Sequence, residues 1–313
     1  MRAVVFAYHN VGYRCLSVLL AHGVEIPLVV THADNPDENI WFDSVARLAE
    51  LHGIPVAKPN DPNTPEFVAC IAASAPDFVF SFYFRSMLKR AVLALPGKGA
   101  LNMHGSLLPR YRGRVPVNWA VIRGERETGA TLHYMVEKPD AGDVVASQAV
   151  PILPDDTAWM VFNKVTVAAE MALNRVLPDL LADRAPRQPQ DLSLGSYFGG
   201  RRPEDGRIDW QQDAVTIHNL VRGVAPPYPG AFTRAQGKHV RILRTMLQPG
   251  QRGRFGRPAL YCQAGGCYAE CGDGKVLRIL SLEVDGTMLG EEDFARAGQT
   301  PPISFDPISF DGA

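Results

Sequence analysis

Cysteine is scarce in this chain. The five present, Cys15, Cys70, Cys262, Cys267 and Cys271, are odd in number and suit a reducing compartment rather than a disulfide scaffold. The late trio contains no CxxC pair, so no metal is expected there. Long apolar runs are missing too: no stretch approaches the roughly 18–20 residues of a membrane span. The apolar start, residues 1–7, is broken at Tyr8, His9 and Asn10, too early for a signal peptide. The expectation is a cytoplasmic protein with no membrane contact. Neither sign of charge dominates, since 32 Lys and Arg against 33 Asp and Glu leave a formal net charge of −1. That balance argues against a nucleic-acid partner held by broad phosphate neutralisation. The last absence is a glycine-rich phosphate loop: the first apolar strand runs into Tyr8-His9-Asn10-Val11-Gly12 instead of GxGxxG, which disfavours a nicotinamide cofactor.

What is present is alternation. Residues 2–7, 25–31, 55–57, 77–82 and 99–103 read as strands, rich in β-branched and apolar side chains. Helical spacing lies between or after them at 11–22, 42–52, 65–75, 86–95 and 116–123. Strand–helix alternation implies βαβ crossovers and a mainly parallel sheet, with its ligand crevice at the carboxyl ends of the strands. Strands at 130–136 and 143–150 follow, joined through a turn containing Asp140. Asp155-Asp156-Thr157 then caps a long amphipathic helix at 158–181. The expected organisation is an α/β catalytic domain over 1–184, a Pro-, Gly- and Arg-rich linker over 185–206, and a small β-barrel domain over 207–300. The barrel reading rests on short glycine-punctuated strands. Residues 301–313 carry a tandem Pro-Ile-Ser-Phe-Asp repeat, expected to form a poorly ordered end.

The densest chemistry lies at 102–116. Asn102 and His104 alternate on one extended segment, so their side chains project to the same side. An amide can donate to a developing oxyanion, and an imidazole can move a proton near neutral pH. A carboxylate beside that imidazole raises its pKa, and Asp140 is the candidate. Gly105, Pro109, Gly113 and Pro116 build a stiff loop carrying Arg110, Arg112 and Arg114. These residues point to acyl-type transfer or hydrolysis on an anionic ligand. Capping for the Asn and His and a solvated face for the arginines remain the structural alternatives.

Asn102-x-His104, the run Ser106-Leu107-Leu108-Pro109-x-Tyr111-Arg112-Gly113, and Asp140-Ala141-Gly142-Asp143 resemble the signature of the 10-formyltetrahydrofolate-dependent formyltransferases, which include methionyl-tRNA formyltransferases. Further segments, among them Thr31-His32-Ala33-Asp34-Asn35-Pro36 and Phe198-Gly199-Gly200-Arg201-Arg202, resemble those members that formylate UDP-4-amino-4-deoxy-L-arabinose in lipid A modification and polymyxin resistance. The likeness covers nearly the whole chain and implies a Rossmann-like domain followed by an OB-like barrel. It also implies 10-formyltetrahydrofolate as formyl donor, with no metal, and a UDP-amino sugar as acceptor. The preceding decarboxylation would belong to a separate dehydrogenase chain.

The resemblance gives roles to residues. Asn102 stabilises the oxyanion, His104 protonates the leaving folate nitrogen, and Asp140 raises the histidine's pKa. Folate contacts carry over to Ser86, Met87, Leu88 and Arg114, and to Val136, Glu137, Lys138 and Pro139. Arg201, Arg202 and Tyr228 are candidates for the sugar nucleotide. A tRNA-directed member is expected to carry Ala-Ala where this chain has Arg114-Val115. The chain departs from the sugar-directed pattern by an extra glycine in Phe198-Gly199-Gly200-Arg201 and by the dehydrogenase domain assigned above to a separate chain. The alternatives are a formyltransferase for another amino sugar or for methionyl-tRNA, a formate-releasing hydrolase, and a folate- or nucleotide-binding protein without catalysis.

Overall fold

A computed structural model describes residues 1–36, 39–297 and 300–306. The chain divides into two compact units. The first comprises Met1–Pro116, Glu127–Pro151 and Phe162–Gly199; the second comprises Val117–Arg126, Ile152–Val161 and Gly200–Ala313.

The first unit opens with strand β1 (Arg2–Ala7), helix α1 (His9–Ala21), β2 (Glu25–Val30), α2 (Val45–Leu51), β3 (Val56–Ala57), α3 (Pro65–Ala73) and β4 (Phe78–Phe82). Local signals set these boundaries. Ser44 and Thr64 cap α2 and α3 through their hydroxyls, and Pro65 sits in the first turn of α3. After β4 come a short α4 (Arg90–Leu93), β5 (Gly99–His104), β6 (Arg112–Gly113), α5 (Pro116–Ile122), β7 (Glu127–Tyr134), β8 (Val144–Pro151), the long α6 (Ala158–Leu181) and β9 (Tyr197–Phe198).

Seven strands form one sheet in the order β3-β2-β1-β4-β5-β7-β8. The pairings from β3 through β5 are parallel, and β5–β7 and β7–β8 are antiparallel. The strand order reverses between β1 and β4, the switch point whose carboxyl side opens as a crevice. Strands β1 and β4 are buried on both faces, and Val4, Phe6, Val79 and Leu28 share a core cluster with Ile71 and Val92. This is why they read as continuous apolar runs.

The helix expected over 86–95 shrinks to Arg90–Leu93. Asn63 captures the preceding segment, its Nδ2 donating to the Met87 carbonyl at 2.9 Å and its Oδ1 accepting from the Lys89 N–H at 2.7 Å. Those bonds satisfy the backbone without a helical turn. Part of the expected linker is ordered as well: β9 pairs in parallel with β6.

The second unit contains α7 (Ala214–Val224), then β10 (Ala231–Ala235), β11 (Lys238–Arg252), β12 (Ala259–Gln263), β13 (Gly266–Glu270), β14 (Lys275–Val284), β15 (Thr287–Gly290), α8 (Glu291–Ala297) and β16 (Ile303–Ser304). Its sheet runs β10-β11-β14-β13-β12-β16, with β15 added to β14. All of these pairings are antiparallel. Phe305 bridges back to Ala235, and the Asp306 N–H donates to the Arg234 carbonyl at 2.9 Å, so the sheet comes close to a closed barrel, which removes exposed edges. The apolar face of α7, with Ile217, Val221 and Val224, packs in the barrel core beside Ile242, Leu277 and Ile279.

The expectation of a poorly ordered end is therefore corrected over its first half. Ile303–Ser304 is a strand on β12, and the Phe305 ring stacks on Trp210 at 4.0 Å. The apolar residues of the first repeat are used as barrel packing. The second repeat, at 307–311, lies outside the described residues. No helix among the described residues is long and apolar enough to cross a membrane.

Candidate active site

The site grows from the pairing of β5 with β7. Register sets Asn102 opposite His133 and His104 opposite Thr131. Alternation along each strand then collects four polar side chains on one face of the sheet. Two loops cover that face, one leaving β5 at 105–116 and the other leaving β7 at 135–143. Thr131 anchors the first: its hydroxyl donates to the Ser106 carbonyl at 2.6 Å and accepts from the Leu108 N–H at 3.2 Å. Gly105 permits the entry into that loop, because a Cβ there would lie 1.9 Å from the Tyr83 hydroxyl. Gly113 is required on two counts, a φ of +98° and a Phe198 carbonyl oxygen 2.1 Å from where its Cβ would be.

His104 is buried, at 6% exposure. Its Nε2 lies 2.8 Å from the Tyr111 carbonyl, which can only accept, and its Nδ1 lies 3.6 Å from Asp140 Oδ1. Asp140 Oδ2 accepts from the Gly113 N–H at 2.9 Å, and Oδ1 is also 3.5 Å from His133 Nε2. The loop that carries Asp140 is fastened by Gln190, whose Nε2 donates to the Asp140 and Gly142 carbonyls. Asp140 itself has φ +52°, an unfavourable conformation for a side-chain-bearing residue. It recurs around the site at His9, Tyr83, Tyr111 and Val115.

Electrostatics in the cluster is a contest. Burial pushes the His104 imidazole below its ordinary value, Asp140 and the Tyr111 carbonyl pull it back only in part, and His133 adds to the lowering. The carboxylate acts on His104 in the expected direction, but desolvation is the larger effect. Burial likewise pushes Asp140 up, yet the positive charge of His104, the His133 contact and the Gly113 N–H outweigh it and hold the carboxyl far below the usual range. Asp140 is ionised at neutral pH. A protonated His104 has an acceptor or a carboxylate at each ring nitrogen, so the site is built to receive an imidazolium transiently.

Asn102, His104 and Asp140 thus come together, and a fourth member joins them. His133, 1% exposed, reaches Asn102 Nδ2 with Nε2 at 3.1 Å, while its Nδ1 donates to the Tyr134 carbonyl at 2.8 Å. With Nδ1 as the donor, the neutral ring offers Nε2 as an acceptor to the Asn102 amide. The same Nε2 lies between the Asn102 amide, 3.1 Å away, and Asp140 Oδ1, 3.5 Å away. Sequence reading missed it because only the β5–β7 register reveals it; the available signal was a histidine alternating with Thr131 along the strand Glu127–Tyr134.

The other singled-out residues spread around this cluster. Ser86 and Met87 follow β4, and Met87 is exposed, whereas Leu88 is buried with Val4 and Ile71, which assigns its side chain to packing. Arg114 is exposed, and its backbone N–H donates to the Phe198 carbonyl at 2.9 Å. Val136, Glu137 and Lys138 are exposed on the loop that ends in Asp140, Pro139 is half-buried, and Glu137 lies 3.7 Å from Arg90. A separate small cleft at the carboxyl ends of β1 and β2, lined by Tyr8, His32, Asp34 and Lys58, includes none of the three catalytic candidates.

In the second unit, Arg201 and Tyr228 are neighbours. Burial pushes the Tyr228 phenol up to about 12, while Arg201 and a hydrogen bond to Asn118 oppose it. The Arg201 Nε is buried without a hydrogen-bond partner among the described residues. Arg202 is used differently: its backbone N–H donates to Asp205 Oδ2 at 2.6 Å, opening a short 3₁₀ turn.

A buried histidine beside a fixed carboxylate, with an amide donor on the same sheet face, is equipped for proton transfer and oxyanion stabilisation. Residues 14–177 match the formyl transferase family, and residues 201–298 match the C-terminal domain of formyl transferases. The chain belongs to the formyl transferase family. Solved structures of similar fold include the N-formyltransferase of Helicobacter canadensis in complex with folinic acid and dTDP-3-aminofucose. That match has a TM-score of 0.69 at 18% identity, covering 89% of this chain and 98% of that one. A sugar N-formyltransferase of Shewanella sp. FDAARGOS_354 matches with a TM-score of 0.61 at 20% identity over 77% of this chain and 96% of that chain. HypX of Aquifex aeolicus in complex with tetrahydrofolic acid matches with a TM-score of 0.62 at 19% identity, over 98% of this chain but 51% of HypX. At such identities the likeness of this formyl transferase to its neighbours is one of fold.

Proposed function

We propose that this formyl transferase moves the formyl group of 10-formyltetrahydrofolate to the 4-amino group of UDP-4-amino-4-deoxy-L-arabinose. The observation that carries the chemistry is the convergence of Asn102, His104 and Asp140 on one face of β5 and its covering loop. A folate donor is supported by the folinic acid and tetrahydrofolic acid held in the related structures. A nucleotide-linked amino sugar is supported by the dTDP-3-aminofucose in one of them. The L-arabinose identity rests on the sequence motifs.

In this reading the sugar amine attacks the formyl carbon, and the carbonyl oxygen takes up negative charge that Asn102 Nδ2 stabilises. The carbon–nitrogen bond to folate breaks as His104 gives its proton to the leaving nitrogen, and the attacking amine gives a proton to water, from which His104 is reprotonated. Asp140 holds the imidazolium while it exists. Ser86, Met87, Arg114 and the segment Val136, Glu137, Lys138 and Pro139 would hold folate, with Leu88 acting through its backbone; Arg201 and Tyr228 would meet the nucleotide, with Arg202 beside them.

Purified protein given both substrates should release tetrahydrofolate together with formylated UDP-sugar, measured by absorbance and mass spectrometry. Turnover with a dTDP-3-amino sugar but not the UDP-sugar would replace the acceptor. Turnover with methionyl-tRNA alone would replace its class, and folate release without an acceptor would make the protein a hydrolase.

A further inference from the structure

A second reactive feature lies far along the sequence from the catalytic loop. Strands β12 and β13 form a hairpin with a two-residue turn, Ala264-Gly265, whose φ values are +45° and +75°, as a tight hairpin turn requires. The register sets Cys262 directly opposite Cys267. The backbone of Cys262 is bonded the other way: its N–H donates to Thr300 Oγ1 at 2.8 Å, and its carbonyl accepts from the Thr300 N–H at 3.0 Å. Cys262 and Cys267 are therefore a non-hydrogen-bonded cross-strand pair, the kind with Cα atoms about 4.5 Å apart and side chains closest. That spacing falls inside the range disulfides occupy, about 4.4–6.8 Å.

The two thiols are unequal. Cys267 is buried at 2% exposure, whereas Cys262 opens onto a cleft lined by Arg254, Phe255, Tyr261 and Thr300. The Cys262 thiol is brought down to about 7, because Cys267 hydrogen-bonds to it, burial opposing and the Thr300 side chain adding a second bond. Cys267 is pushed up by the same contact and by burial. The half-buried Cys262 is reached from the cleft and Cys267 is held behind it, the arrangement of an attacking and a resolving cysteine. None of the other three cysteines shares the hairpin's two strands: Cys15 and Cys271 are buried, and Cys70 is exposed on α3.

We propose that Cys262 and Cys267 are a redox-active pair that closes to a disulfide on meeting an oxidised low-molecular-weight disulfide such as that of glutathione. The Cys262 thiolate attacks one sulfur of the small disulfide, forming a mixed disulfide and expelling one thiolate. Cys267, giving its proton to that thiolate, attacks the Cys262 sulfur and expels the second, which takes a proton from water buffered by the one Cys262 released. The two cysteines are oxidised by two electrons, and one small disulfide becomes two thiols. Disulfides of this kind in reducing compartments are typically transient and redox-sensing.

The test is incubation of the reduced protein with oxidised glutathione, alkylation of the remaining thiols under denaturing conditions, and peptide mass spectrometry. Wild type should lose two of its five alkylatable thiols and yield a Cys262–Cys267 linked peptide reversed by dithiothreitol. Cys267→Ser should stop at a glutathione adduct on Cys262, and Cys262→Ser should leave Cys267 reduced. A wild-type protein that keeps all five thiols, that accumulates the adduct on Cys262 without the link, or that oxidises Cys70 before the hairpin would overturn the proposal.

Discussion

Replacing Asp140 with Asn removes a charge while leaving a group that can still accept from the Gly113 N–H, so the loop should keep its anchor and His104 should lose its counter-charge. The carboxylate lies 3.6 Å from His104 Nδ1. At an effective dielectric constant of ~20, a unit charge at that distance favours the imidazolium by about 4–5 kcal/mol, a roughly 10³-fold change in proton affinity. Burial already pulls His104 down, and Asp140 is the largest opposing influence, so the variant's histidine binds a proton less readily still. A general acid must be protonated to act, and its contribution falls as pH rises through its pKa. With that pKa lowered, the alkaline loss of activity should begin at a lower pH, and kcat at pH 7 should fall about 10²- to 10³-fold, within the scale of general acid–base catalysis. Steady-state kinetics between pH 5 and 9, with a melting curve to show that the variant is folded, measures both effects. An alkaline limb that stays in place, or a kcat equal to wild type, would refute this account of Asp140.

Three further outcomes follow from the same geometry. Asp140 is held well below the ordinary carboxylate range, so its ionisation contributes stability that is present above the unfolded value and lost as pH falls through the folded one. The melting-temperature gap between wild type and Asp140→Asn should accordingly shrink as pH drops below about 4. His133→Ala removes the group between Asn102 and Asp140 without touching the proposed acid; kcat should fall about 10- to 10²-fold, the scale of mispositioning, with the sugar KM little changed, and an unchanged kcat would leave His133 a packing residue. Gly105→Ala must displace Tyr83, whose hydroxyl lies 1.9 Å from the added Cβ; a crystal structure should show the ring moved, and a superimposable Tyr83 would contradict the steric argument.

Much of this was legible in the sequence, for identifiable reasons. Asn102 and His104 were readable because a period-2 strand puts alternate residues on one side without any tertiary information. The parallel core was readable because β1, β2 and β4 are mostly buried and, apart from Arg2, Glu25 and Ser81, consist of apolar residues. What escaped depended on register or on long-range backbone bonding. His133 counts only because β7 runs antiparallel to β5 with Asn102 opposite it. Residues 196–198 look like linker, yet their carbonyls accept from the N–H groups of Arg112 and Arg114, and the Phe198 ring stacks on Tyr111 at 5.2 Å. Leu88 sits in a stretch similar to a folate loop while its side chain is core. The end of the barrel read as a tail because the repeat's hydrophobic residues find their partners, Trp210 and Ala235, only in the closed sheet.

The central claim is that His104 hands a proton to a leaving nitrogen during formyl transfer to an amino sugar. The most direct measurement is a rapid-quench single turnover of wild type and His104→Ala with 10-formyltetrahydrofolate and UDP-4-amino-4-deoxy-L-arabinose, following tetrahydrofolate and formylated sugar together. Wild type should form the two products in equal amounts, and the variant should do so about 10²- to 10⁴-fold more slowly while still binding both substrates. Equal rates in the two proteins, or tetrahydrofolate released without formylated sugar, would contradict it.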